Sequence, residues 1–187
     1  MSDEKVLTKD VAEQFLADED SVDLNGFASI DDAAAEILNG YSGDLMLESM
    51  ANLSVTAATF LAGHKNGDLW MDGITNLSVE LATVLIQHPG RLTFDGFQEL
   101  SVELADALAA RTGPLALNGI VNMTTDVAEI LGGSNMTVLE LFSLSSLLDA
   151  AAESLSRHKG KLELNLGWLP KSAAAILRKH PSFADED

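Results

Sequence analysis

A repeat of 23 or 24 residues runs through the chain, and it restricts the fold more than any other feature. Leu69-Trp70-Met71-Asp72-Gly73-Ile74, with Leu77-Ser78-Val79-Glu80-Leu81-Ala82 and Leu85 behind it, returns as Leu92-Thr93-Phe94-Asp95-Gly96-Phe97, with Leu100-Ser101-Val102-Glu103-Leu104-Ala105 and Leu108. A third copy begins at Leu115-Ala116-Leu117-Asn118-Gly119-Ile120. The same frame extends backwards through Leu45 and Leu47, then Val22 and Leu24, and forwards through Leu139 and Leu141, then Leu162 and Leu164. One position is constant: Ala12, Ala35, Ala58, Ala82, Ala105, Ala128, Ala152 and Ala174. A side chain that never grows beyond a methyl group implies a close contact at that point of every repeat.

Each repeat divides by period. Its first six residues alternate in the manner of a short strand with one buried face. Gly26, Ser49, Gly73, Gly96, Gly119 and Ser143 follow, where a small residue permits a sharp turn or close stacking of neighbours. Thr8, Asp31, Ser54, Ser78, Ser101 and Thr124 then stand at helix N-cap positions, and Asp10, Glu80, Glu103 and Asp126 suit the positive end of the helix dipole. Gly43, Gly67, Gly90, Gly113 and Gly160 are expected to turn the chain out of each helix.

A strand and a helix this short have no partner for their apolar faces unless repeats stack and share a core. Strands joined through helices must be parallel, with right-handed crossovers. The expected fold class is therefore α/β: an open right-handed solenoid of about seven strand–helix repeats, with a parallel sheet on one face and helices on the other. It reads as a single repeat domain, 1–187. Residues 1–21 are a half-repeat and cap helix, 22–161 six full repeats, 162–183 an irregular last repeat and cap, and 184–187 an acidic tail. Pro170 fits a helix start, and Trp168 is expected to close the core end.

The Leu-x-Leu strand and the 23-residue period resemble the leucine-rich repeat family from Val22 to Leu177, and the bacterial 23-residue type in particular. The resemblance implies a protein-binding solenoid without catalysis. The family's Asn, three residues after the second strand Leu, is replaced here by Phe27, Met50, Ile74, Phe97, Ile120 and Leu144. The family's Asn ladder is therefore absent at that position, and the turn must be closed differently.

Alternation assigns two outward columns on the strand face. The first is Asp23, Met46, Trp70, Thr93, Ala116, Glu140 and Glu163; the second is Asn25, Glu48, Asp72, Asp95, Asn118, Phe142 and Asn165. Trp70 beside Met46, bordered by Glu48, Asp72 and Asp95, reads as an anchor in an acidic border, with Phe142 a second apolar outlier. The expected function is a non-enzymatic protein-interaction module whose partner is neutral or basic. Trp70 is expected to be accessible to solvent. All four histidines, His64, His88, His158 and His180, fall at one repeat position, shared with Tyr41, Arg111 and Ser134. No third ligand recurs beside them, so they are read as capping the last carbonyls of their helices, not as metal ligands. No cofactor is expected, and no nucleophile–base or phosphate-loop arrangement stands in the chain.

Charge supplies the alternative. The 29 acids against 11 Lys and Arg give −18, which disfavours nucleic acid and anionic lipid as partners. No cysteine is present, no apolar run nears the ~18 residues of a membrane helix, and Met-Ser-Asp-Glu-Lys opens without an apolar segment, so a cytoplasmic protein is expected. Residues 1–48 hold 13 acids against Lys5 and Lys9, whereas 157–180 hold six bases against Glu163. Opposite charges at the two ends suggest a self-assembling structural protein that associates head-to-tail, as a homo-oligomer.

Overall fold

The computed structural model describes residues 5–184. The protein is α/β and forms two compact units, one ending at Phe94 and the other beginning at Asp95. The expected tail lies outside the described residues except for Ala184.

The first unit runs β1 (Val6–Leu7), α1 (Lys9–Ala17), β2 (Ser29–Ile30), α2 (Asp32–Leu38), β3 (Leu45–Met46), α3 (Val55–Ala62), β4 (Leu69–Trp70), α4 (Val79–Leu85) and β5 (Leu92–Thr93). Strands β3, β4 and β5 pair in parallel with Leu45 opposite Leu69 and Leu69 opposite Leu92. The sequence repeat is thus the register of the sheet. Those three leucines and the next inward residues, Leu47, Met71 and Phe94, are fully buried. Helices α1 to α4 pack each on the next. A second parallel ladder, β1 with β2, extends from Ser29 to Asn52 by a bridge and lies just before the helices.

The second unit repeats this plan with α5 (Val102–Ala109), β6 (Leu115–Ala116), β7 (Asn122–Met123), α6 (Thr125–Gly133), β8 (Val138–Glu140), β9 (Ser146–Leu147), α7 (Asp149–Leu155), β10 (Lys161–Glu163) and α8 (Lys171–Leu177). Strands β6, β8 and β10 pair in parallel through Leu115, Leu139 and Leu162. The smaller ladder is β7 with β9. Helices α5 to α8 again pack in succession.

Local chemistry sets the helix starts. Asp31, Ser54, Ser78, Ser101 and Thr124 each accept a backbone N–H three residues on, at 2.6–3.3 Å. Thr8 occupies the same position without a side-chain cap bond. All eight column alanines are buried, seven of them completely and Ala174 at 5 %. The glycines act through size rather than backbone freedom, since no described glycine has positive φ. A Cβ on Gly67 would overlap the Gly43 carbonyl, and one on Gly73 would lie 2.6 Å from the Glu48 carbonyl oxygen. Neighbouring repeats therefore approach each other through bare backbone.

Two local expectations are corrected. Leu24–Gly26, expected as strand, is a three-residue 3-10 turn because the Asp23 carboxylate accepts the Asn25 N–H at 3.0 Å and closes it. Trp168 does not close the core and is 59 % exposed. Residues 166–168 form another 3-10 turn, with Asn165 accepting the Gly167 N–H at 3.0 Å. That turn points Leu166 inward and leaves Trp168 in the column of the exposed Val121. Phe183 and Leu169 fill the end of the core instead. Pro170 stands at the N-cap of α8.

Candidate functional site

The strands place the candidate residues in two groups. In the first unit Met46 on β3 lies directly across from Trp70 on β4, which lies across from Thr93 on β5. Met46 is 48 % exposed, while Trp70 is half-buried. The Arg91 guanidinium sits 5.0 Å from the indole ring centre and covers part of its face. The indole Nε1 is buried without a hydrogen-bond partner. Trp70 is therefore less open than its column suggests. Glu48, two residues beyond Met46, is exposed. Asp72, two beyond Trp70, accepts the Thr93 hydroxyl at 2.5 Å.

Asp95 and Phe142 belong to the second unit. Asp95 accepts both the Asn118 N–H at 2.8 Å and the Asn118 side-chain amide at 3.1 Å. Asn118 in turn accepts the Phe142 N–H at 3.1 Å, and the Phe142 ring is 44 % exposed. Asn25 does the same for the Glu48 N–H at 2.9 Å in the first unit. The second outward column is thus a hydrogen-bonded ladder at 23- and 24-residue intervals, one position after the second strand Leu. It answers how the turns close without the Asn that the sequence lacks. Asp68 and Asp44 form a parallel ladder before the strands, with Asp44 accepting the Asp68 N–H at 2.8 Å and Asp68 the Arg91 N–H at 2.9 Å. Asp72 and Asp95 are consequently held inside the framework, and Glu48 is the freer carboxylate of the three.

The first outward column is also less open than alternation implies. Thr93 and Ala116 are fully buried and Glu140 is 6 % exposed. Alternation fixes which face a side chain takes, whereas neighbouring side chains decide whether that face reaches water. At the far strand, Lys161 pairs with Glu163 at 2.5 Å, and this hydrogen bond and charge raise the Lys161 pKa.

Contrary to expectation, His64 and His180 do not cap the last carbonyls of their own helices, because their Nε2 atoms reach the preceding repeat instead. His64 Nε2 donates to the Gly43 carbonyl at 2.9 Å, and His180 Nε2 to the His158 carbonyl at 2.8 Å, so each ties its repeat to the preceding turn. Tyr41, His64 and His88 stack, with ring centres 6.3 and 5.8 Å apart and planes within 11° and 3° of parallel. Hydropathy gave no signal of this stack; the shared repeat position did. Among the described residues no group of three or more His, Cys, Asp or Glu is placed to hold a metal ion. Among them, too, no helix is long and apolar enough to cross a membrane.

No family model matches the chain, and no curated protein matches it either.

Proposed function

We propose that the repeats form one open right-handed solenoid of the leucine-rich-repeat kind, about seven strand–helix repeats long, and that its strand face binds a protein partner without catalysis. The observation that supports this most is the pairing of Met46 with Trp70 on adjacent strands whose flanking residues are laced by backbone-to-side-chain ladders. An apolar pair on such a support loses little conformational freedom on binding. The partner presents a neutral or basic surface to Glu48 and an apolar group to Met46 and the Trp70 edge.

The test is capture of a partner by wild type, Met46→Ala, Trp70→Ala and the helix-surface control Glu103→Ala. Both strand-face changes should weaken capture by about 2 kcal/mol, the scale of an interface hot spot, or roughly 30-fold. Glu103 lies on exposed α5 surface, where its own backbone N–H and the Ser101 cap hold its pKa below the usual value, and Glu103→Ala should leave capture unchanged. If Glu103→Ala alone weakened capture, the binding surface would be the helix side.

A further inference from the structure

The acidic end of the first unit carries a groove that shares only Met46 with the strand-face reading. Phe15, Tyr41 and Met46 contribute its apolar floor, and Glu19, Asp23 and Asp44 its rim, around a cleft of about 370 Å³. Phe15 meets Tyr41 edge-to-face at 5.1 Å, and the Tyr41 hydroxyl donates to Glu19 at 2.8 Å, which ties floor to rim. A second hollow continues past Glu19 and Tyr41 to Leu16, which is 41 % exposed. Among the described residues, ion pairs join Lys9 to Glu13 and Lys161 to Glu163, and neither involves Glu19, Asp23 or Asp44.

The last repeat of the second unit has the opposite character. Trp168 is 59 % exposed, and Lys171, Arg178 and Lys179 are exposed around the same short helix. An indole left in water three residues before Lys171, in a repeat that carries exposed cations within a strongly acidic chain, is unexplained by the core. A groove with an aromatic floor and an anionic rim is its chemical complement.

We propose that this groove receives the last repeat of a second copy of the chain, with Trp168 on the Phe15–Tyr41 floor and Lys171 against the rim carboxylates. The contact joins two different surfaces, so a pair of copies leaves one groove and one basic end free for further copies. Whole copies at −18 repel one another at long range, but at 0.15 M salt screening acts within about 8 Å, which leaves the contact pairs to decide the outcome.

Sedimentation of the full chain at 0.15 M salt, over a concentration series, tests this. Mass should grow with concentration beyond 19.8 kDa for wild type. Trp168→Ala and Asp20→Lys, the latter at an exposed residue that also lines the groove, should each weaken association at least tenfold while thermal melts stay at the wild-type value. A Glu19→Lys, Asp23→Lys copy mixed with a Lys171→Glu, Arg178→Glu copy should associate where neither does so alone. Trp70→Ala should leave self-association intact, which separates this contact from the strand-face reading. A monomer at every concentration, growth insensitive to Trp168→Ala, or growth abolished by Trp70→Ala would each overturn the proposal.

Discussion

The alanine row and the row containing the histidines recur at the same interval, yet only the alanine row is constant. Both are buried. Ala58, Ala82, Ala105 and their equivalents have no accessible surface apart from Ala174 at 5 %, and His64, His88, Arg111, Ser134, His158 and His180 have at most 4 %. They differ in what burial requires. At the alanine position, burial together with a constant methyl group points to a demand on volume. At the other position a polar group must serve a turn carbonyl. Arg111 reaches Pro114 by Nε at 2.9 Å, Ser134 reaches Leu131 by its hydroxyl at 2.7 Å, and His64 and His180 reach the preceding repeat. A demand for volume selects one residue. A demand for a donor selects a chemistry that several residues provide.

The largest effect should come from violating the volume demand. Ala105→Leu introduces three heavy atoms into a fully buried contact in α5, and overpacking of this kind costs about 1–3 kcal/mol. We expect the upper end, because Ala105 has no accessible surface on a helix that packs on α6. Asp106→Leu, one residue on and exposed, should change stability by under about 0.5 kcal/mol. Denaturant melts of the two variants check this. Equal, small effects would show that the row is constant for a reason other than space.

The contrast also explains which parts of the molecule the sequence could disclose. Strand alternation, the Leu register, five of the N-caps and the alanine row are local or periodic, so each leaves a trace at fixed spacing. The Asn25, Asp95 and Asn118 ladder bonds join residues 23 or 24 apart through one oxygen and one N–H. Hydropathy classes these residues as outward and polar, and so marks Asp72 and Asp95 as a border when they belong to the framework. Trp168 misled for a related reason. Apolar character suggested burial, while Asn165 closed a 3-10 turn that rotated the indole out. The candidate site was legible as a face and as the Met46–Trp70 pair, but Arg91 over the indole depends on the packing of two adjacent strands.

Violating the donor demand should cost less than overpacking, and the cost should depend on chemistry. His64→Ala leaves the Gly43 carbonyl without its partner, and loss of one buried hydrogen bond costs about 1–2 kcal/mol. His88→Tyr keeps an aromatic ring beside His64, as Tyr41 does on its other side, so its cost should stay below about 1.5 kcal/mol. Calorimetric melts rank the two. A tyrosine that destabilised as much as an alanine would mean that the row requires imidazole specifically.

The smallest effect is a dependence on pH that only the donor row can produce. His158 is 3 % exposed, and both of its ring nitrogens are buried. Burial lowers its pKa from the ordinary 6.5, the nearby His180 lowers it further, and the Leu131 carbonyl opposes both. The sign follows from proton uptake. Above 6.5 both folded and unfolded chains hold a neutral imidazole, and the residue contributes nothing to the slope. As pH falls below 6.5, the unfolded chain binds a proton that the folded chain still refuses, so stability declines until the folded imidazole also titrates. One such group can supply a slope of at most about 1.4 kcal/mol per pH unit. Urea midpoints measured from pH 7.5 to 5.5 should fall for wild type, and part of that fall should vanish in His158→Gln. The alanine row has no titratable atom, so Ala152→Gly in the same helix should lower the midpoint uniformly and leave the slope unchanged. A slope identical in wild type and His158→Gln would place the acid sensitivity elsewhere and remove the distinction between a neutral buried donor row and a merely tolerant one.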